Sequence, residues 1–199
     1  MAPRLAVEAL ALPGIGPVTF SLSAGECLGL SGPSGAGKTR VLRAIADLDC
    51  HRGCCRLDGV QAHAMPAHRW RRRVAYLAAD SAWWHDKVAA HIEAVEQPAL
   101  EELGFDADVR GWPVSRLSSG ERQRLALLRQ LALQPSVLLL DEPVARLDPR
   151  NSALMVALLE RYRRQQQAAL VWVDHDRDLL IRVATRRASL DAGGGFLCP

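Results

Sequence analysis

The stretch "ECLGLSGPSGAGKTRVLRAI" (Glu26–Ile45) limits the folds open to this chain more than any other. An apolar run reads as a strand, and a glycine-rich turn then leads directly into a segment with helical spacing. Within it, "GPSGAGKT" (Gly32–Thr39) fits G-x-x-x-x-G-K-[ST] in the strand-to-helix context which that pattern requires. Gly32, Gly35 and Gly37 let backbone N–H groups curl around an anion without side-chain clash, with Pro33, Ser34 and Ala36 completing the loop. Lys38 is in position to reach β- and γ-phosphates, and Thr39 to offer its hydroxyl to Mg²⁺. A glycine turn with a helix cap is the plainer reading; the flanking strand and helix favour nucleotide binding.

Further along, short apolar runs alternate with helical patterns. "CCRL", "VAYLA" (Val74–Ala78), "SVLLLDE" (Ser136–Glu142) and "AALVWVD" (Ala168–Asp174) read as strands, while Lys38–Leu48, Asn151–Gln167 and Asp176–Val183 read as helices. Strands separated by helices predict an α/β fold with a mostly parallel sheet covered on both faces. From Asp86 to Leu133 the pattern is helical without a buried strand, interrupted at Pro98, Gly104 and Gly111–Pro113. This predicts a helical subdomain inserted into the core.

Asp141 closes "SVLLL", and the carboxyl ends of parallel strands are where ligands gather. An aspartate there holds Mg²⁺ directly or through water, and the adjacent Glu142 can orient or deprotonate a water aimed at the γ-phosphate. Two acids capping a strand end is the structural alternative. His175, in "VWVDHD", follows another buried strand and is placed to hydrogen-bond a γ-phosphate and the attacking water.

"RLSSGERQRLALLRQL" (Arg116–Leu131) raises a different question. Ser118 or Ser119 as N-cap with Glu121 in the first turn is ordinary helix chemistry, but Gly120 is a poor helix former. A helix start built of small residues is also an anion site.

Charge and cysteine content exclude several classes. A net charge of +3, with arginines scattered, does not demand nucleic acid. Arg69, Arg71, Arg72 and Arg73 read as a solvated helix end. The N-terminal segment does not read as a signal peptide, and no apolar run approaches about 18 residues, so no membrane span is expected. The five cysteines, an odd number, are expected to be reduced thiols of a cytosolic protein. Cys50, His51, Cys54, Cys55, His63 and His68 crowd together without zinc-finger spacing and read as buried or incidental.

With these residues in place the chain resembles the ATP-binding cassette (ABC) ATPases, the nucleotide-binding domains of ABC transporters. The likeness runs from about Leu5 to Leu190, with the family's parts in order: Walker A at Gly32–Thr39, signature at Leu117–Glu121, Walker B at Val137–Glu142, D-loop at Ala145–Asp148 and switch histidine at His175. The resemblance implies a P-loop NTPase core with an N-terminal antiparallel β portion. That core covers residues 1–78 and 134–199 of one domain, with the short helical subdomain at about 79–133. It also implies ATP and Mg²⁺ as ligands. The metal set is Thr39, Asp141 and Asp80, and the catalytic pair is Glu142 with His175. Ser118, Ser119, Gly120 and Glu121 are implied to contact the γ-phosphate of an ATP held by a second ATPase subunit, identical or not, and Asp148 joins the nucleotide-binding set. The further partner implied is an integral membrane permease on a separate chain, with this chain cytoplasmic and peripheral on the inner face of the membrane.

Departures from the family pattern carry their own expectations. Ser119 stands where glycine is usual, and its hydroxyl either adds a donor or crowds the phosphate. The stretch "ALALPGIGP" carries no aromatic residue to stack on adenine. After "VAYL", Ala79 takes the place of the family's glutamine, and Asp80 beside it is the expected replacement oxygen for Mg²⁺; the alternative is a missing contact and slow hydrolysis. Trp83 and Trp84 fall where the family meets its permease and are expected to be partly exposed. A soluble ABC ATPase with a scaffold or regulatory role is the alternative function. A P-loop kinase is disfavoured by the signature, D-loop and switch histidine.

Overall fold

The computed structural model describes residues 2–198. The N-terminal portion pairs β1 (Leu5–Leu12), β2 (Ile15–Leu22), β4 (Arg52–Leu57) and β5 (Val60–Gln61) into a four-stranded antiparallel sheet of order β2-β1-β4-β5. The second sheet has six strands in the order β10-β9-β3-β8-β7-β6. It comprises β3 (Cys27–Ser31), β6 (Val74–Leu77), β7 (Val137–Asp141), β8 (Ala169–Val173), β9 (Arg186–Leu190) and β10 (Phe196–Leu197). All neighbours run parallel except β10, which is antiparallel to β9.

The helices follow from local chemistry and close both faces of this sheet. They are α1 (Lys38–Ile45), α2 (Ala67–Arg73), α3 (Gln97–Glu102), α4 (Ser119–Leu131), α5 (Pro149–Gln166) and α6 (Arg177–Val183). β7 and β8 are buried along their whole length because alternate side chains enter different cores. Val137, Leu139, Ala169, Val171 and Val173 pack with α1, Trp70 of α2 and the antiparallel sheet. Leu138, Leu140, Leu170 and Trp172 pack with α4, α5 and α6. Continuous apolar runs are what a strand covered on both faces requires.

The segment between β6 and β7 is less helical than its pattern predicts. α3 spans only six residues, and 3-10 turns at Val88–His91, Ala107–Gly111 and Val114–Arg116 fill the rest before α4. Pro98, Gly104 and Pro113 prevent the apolar residues there from sharing one long helix. "CCRL" is a strand, but it belongs to the antiparallel sheet as part of β4. No helix among the described residues is long and apolar enough to cross a membrane.

All five cysteines are free thiols, with Cys27 and Cys55 buried and Cys50 exposed. Burial pushes the thiols of Cys27 and Cys55 up to about 12. At pH 8 a thiol reagent should therefore modify Cys50 quickly in the native protein and reach Cys27 and Cys55 only after denaturation; rapid native labelling of Cys27, followed by peptide mass spectrometry, would contradict this packing.

Candidate nucleotide site

β3 ends at Ser31 and the glycine loop turns directly into α1. Gly37 is the helix N-cap at φ 97°, a left-handed conformation that side chains disfavour. A Cβ there would also lie 2.2 Å from Cδ1 of Ile15, so Ile15 packs straight onto the loop. Ile15 belongs to the upstream stretch that lacks an aromatic. Lys38, the first residue of α1, is buried and donates from Nζ to the carbonyl oxygens of Gly32 and Pro33, each at 2.9 Å. The ammonium is thus held over the loop, and the first-turn N–H groups of α1 face no intrahelical acceptor.

β7 and β8 bring their acids to the same edge. Glu142 follows β7 with φ 48°, an unfavourable value for a non-glycine residue, and its N–H donates to the Val173 carbonyl at 2.9 Å. Its Oε1 lies 2.9 Å from Nε2 of His175, which follows β8. Lys38, Thr39, Glu142 and His175 line one cavity of about 320 Å³ with Ser34, Gly35 and Gly37. Asp141 is buried at the end of β7 and accepts one hydrogen bond, on Oδ2 from the Tyr76 hydroxyl at 2.9 Å. Burial and the adjacent Asp141 carboxylate push the Tyr76 pKa well up, so the phenol stays protonated and donates. Asp141 keeps Oδ1 for another partner. No group of three or more His, Cys, Asp or Glu among the described residues could hold a metal alone. The Thr39 hydroxyl and the free Asp141 carboxylate oxygen are hard oxygens of the kind Mg²⁺ would take.

The signature segment answers its own question locally. Ser118 is the N-cap of α4, not Ser119, and forms a full capping box with Glu121. Glu121 accepts from both the Ser118 N–H and its hydroxyl at 2.8 Å. Burial opposes its ionisation, but these bonds, with Arg124 and Arg116 nearby, hold the carboxyl below its usual pKa. Gly120 has a packing reason too: a Cβ would meet Leu147 Cδ2 at 3.0 Å and the Arg146 carbonyl at 3.6 Å, so the signature helix rests on the D-loop of its own chain. Asp148 caps α5 by accepting from the Asn151 N–H at 3.0 Å. None of Ser118, Ser119, Gly120, Glu121 and Asp148 lines the cavity around Lys38.

Asp80 does not line the cavity of Lys38 and Thr39 either. Its side chain is 87% exposed and meets Arg146 of the D-loop at 3.4 Å. It lines a separate cavity of about 240 Å³ with Ala79, Ser119, Gln123 and Arg146. The expectation of Asp80 at the metal has no geometric support, because aspartate at the surface pairs with the nearest cation. Two residues missed by sequence reasoning, Tyr76 and Gln123, hold this region instead; their bonds join distant segments and leave no local signal. Trp84 is 65% exposed, and Trp83 is partly buried against the core, so both are partly exposed as expected.

A parallel sheet with a phosphate-type glycine loop and two acids at its carboxyl edge defines a P-loop ATPase. The chain belongs to the ABC transporter family, whose model matches residues 15–145, and it is an ATP-binding, ATP-hydrolysing component of that class. It is similar to the probable iron export ATP-binding protein FetA of Escherichia coli (strain K12), 32% identical over 174 residues that cover 81% of this chain and 77% of that protein. The aliphatic sulfonates import ATP-binding protein SsuB 2 of Mesorhizobium japonicum is 34% identical over 206 residues, covering 96% and 79%. The methionine import ATP-binding protein MetN 2 of Pseudomonas aeruginosa is 31% identical over 202 residues, and the match spans 92% of this chain but only 60% of that relative. Among solved structures, a bacterial Atm1-family ABC exporter with ATP bound matches at a TM-score of 0.84 with 19% identity, over 98% of this chain and 38% of that one, which supports the fold.

Replacing Lys38 with alanine removes the cation held over the loop and should abolish tight ATP binding. Isothermal calorimetry giving equal affinities for wild type and Lys38→Ala would contradict the site.

Proposed function

We propose that this chain binds ATP on the loop Gly32–Thr39 and works as one half of a pair of ATPase subunits that drives a separate membrane permease. The observation that carries this reading is the separation of two phosphate-binding elements. The loop with Lys38, Thr39, Glu142 and His175 forms one cavity, while Ser118–Glu121 lies outside it. A second subunit, identical or not, that presents its signature to this cavity would complete it, so that two ATP molecules are enclosed head-to-tail. The domain then divides by role: residues 1–78 and 134–199 hold the nucleotide, and about 79–133 carry the signature to the partner.

Within the site, Lys38 and the loop N–H groups neutralise and orient the triphosphate. Glu142 serves as the general base for the attacking water, and its bond to His175 fixes where the carboxylate points. His175, which lines the same cavity, would donate to a γ-phosphate bound there. Thr39 and Asp141 would hold Mg²⁺, which would supply charge neutralisation to the bound triphosphate. The permease would engage the exposed Trp84 region, with the chain peripheral on the inner face of the membrane. Iron export, methionine import and sulfonate import in the relatives' names show no single cargo or direction, so neither is assigned.

Glu142→Gln should keep ATP binding, slow hydrolysis by roughly 10²-fold and trap an ATP-dependent dimer. Light scattering with ATP and Mg²⁺ that shows only monomer, while calorimetry shows full nucleotide occupancy, would contradict the paired arrangement.

A further inference from the structure

Gln123 lies on α4 and is only 5% exposed. A buried amide costs free energy unless both its ends are hydrogen-bonded. Both are used here, and by one segment. Nε2 donates to the Ala78 carbonyl at 3.0 Å, and Oε1 accepts from the Ser81 hydroxyl at 3.0 Å. Ala78 and Ser81 flank the position where alanine stands in place of the glutamine that the family pattern expects.

The segment is fixed further down the same helix. Arg129 donates to the Ala82 carbonyl at 3.2 Å, and its guanidinium stands 5.1 Å and 4.9 Å from the ring centres of Trp83 and Trp84. Residues 78–84 therefore lie along α4 for about 9 Å, the rise of six helical residues. At one end of this run β6 reaches the nucleotide edge, where Tyr76 bonds Asp141. At this same end, by Gln123, α4 begins two residues before Glu121, which holds the capping serine of the signature. The surface pair of Asp80 and Arg146 cannot carry the link, since exposed ion pairs contribute little.

We propose that Gln123 is a positioning residue for ATP hydrolysis: its amide ties the segment leaving β6 to the signature helix, supplying the coupling that Ala79 lacks. The inference rests on the ATPase reading above and adds a residue to it. Contiguous contacts alone do not establish energetic coupling, so the test measures it.

The test begins with three variants of this chain: Gln123→Leu, Tyr76→Phe and the two combined. Calorimetry reports ATP affinity, steady-state kinetics report kcat and KM per folded molecule, and thermal melts report stability. For Gln123→Leu the expected result is ATP affinity within about twofold of wild type and kcat lowered by about tenfold with KM little changed, the scale of about 1.4 kcal/mol. The double variant should lose less than the product of the single losses, because both sit on one link. Adding Ala79→Gln to Gln123→Leu should recover part of the rate. An unchanged kcat with only a lowered melting temperature would make Gln123 a structural filler and overturn the proposal. If Gln123→Leu does not fold, Ser81→Ala decides: a fall in kcat of about threefold at unchanged affinity supports the link, and an unchanged kcat overturns it. A wild-type chain that neither binds nor hydrolyses ATP would instead overturn the ATPase reading itself.

Discussion

β3, β8 and β7 lie side by side and parallel, paired from Cys27 to Leu30 and from Val137 to Asp141 along a common register. Their carboxyl ends emerge at one edge, and each delivers a different group: β3 the glycine loop, β7 Asp141 and Glu142, β8 His175. This arrangement brings Gly35, Lys38, Glu142 and His175, distant in sequence, to one cavity of about 320 Å³. The register is fixed because both faces of β7 and β8 are buried, and a slip by one residue would send every side chain to the wrong core. The left-handed backbone at Glu142, which costs about 1–2 kcal/mol, persists because the bond from its N–H to Val173 ties the turn to β8.

The second phosphate-type element depends on α4. Its N-terminus is held by the capping box of Ser118 and Glu121 and by the close approach of Gly120 to Leu147. Its body carries the segment after β6 through Gln123 and Arg129. Arg124 joins it to α5 and the insert by bonding Asn151 and the Leu103 carbonyl, each at 2.6 Å. The helix thus behaves as one rigid part that spans from the signature to the exposed Trp84. In the proposed pairing, a partner seated at Trp84 would be joined to the signature by α4.

The sequence is informative where chemistry is local. The spacing of Gly32, Gly35, Gly37 and Lys38 names the loop, and the apolar run before Asp141 names the buried strand and its terminal acids. Capping chemistry announces α4, although which serine caps it is a matter of one residue that only geometry resolves. β9 is not apparent because Arg186, Arg187 and Ser189 break its apolar pattern; it is a strand through its pairing with β3. Tyr76 and Gln123 are equally silent, since each acts on a residue more than forty positions away. Asp80 differs: at the place in the chain that the family pattern marks, its carboxylate meets Arg146 at the surface.

The central claim is that one ATP site needs the loop of one chain and the signature of another. A mixing experiment tests it directly. Lys38→Ala disables the loop alone. Ser119→Asp places a negative charge in the signature while remaining favourable in a first helical turn. Each variant by itself should be inactive, because both sites of its dimer are defective. An equimolar mixture should recover ATPase activity, since a mixed dimer contains one site made from the intact loop of the Ser119→Asp chain and the intact signature of the Lys38→Ala chain. Activity in Ser119→Asp alone, or none in a mixture shown by light scattering to contain ATP-bound dimers, would contradict the account.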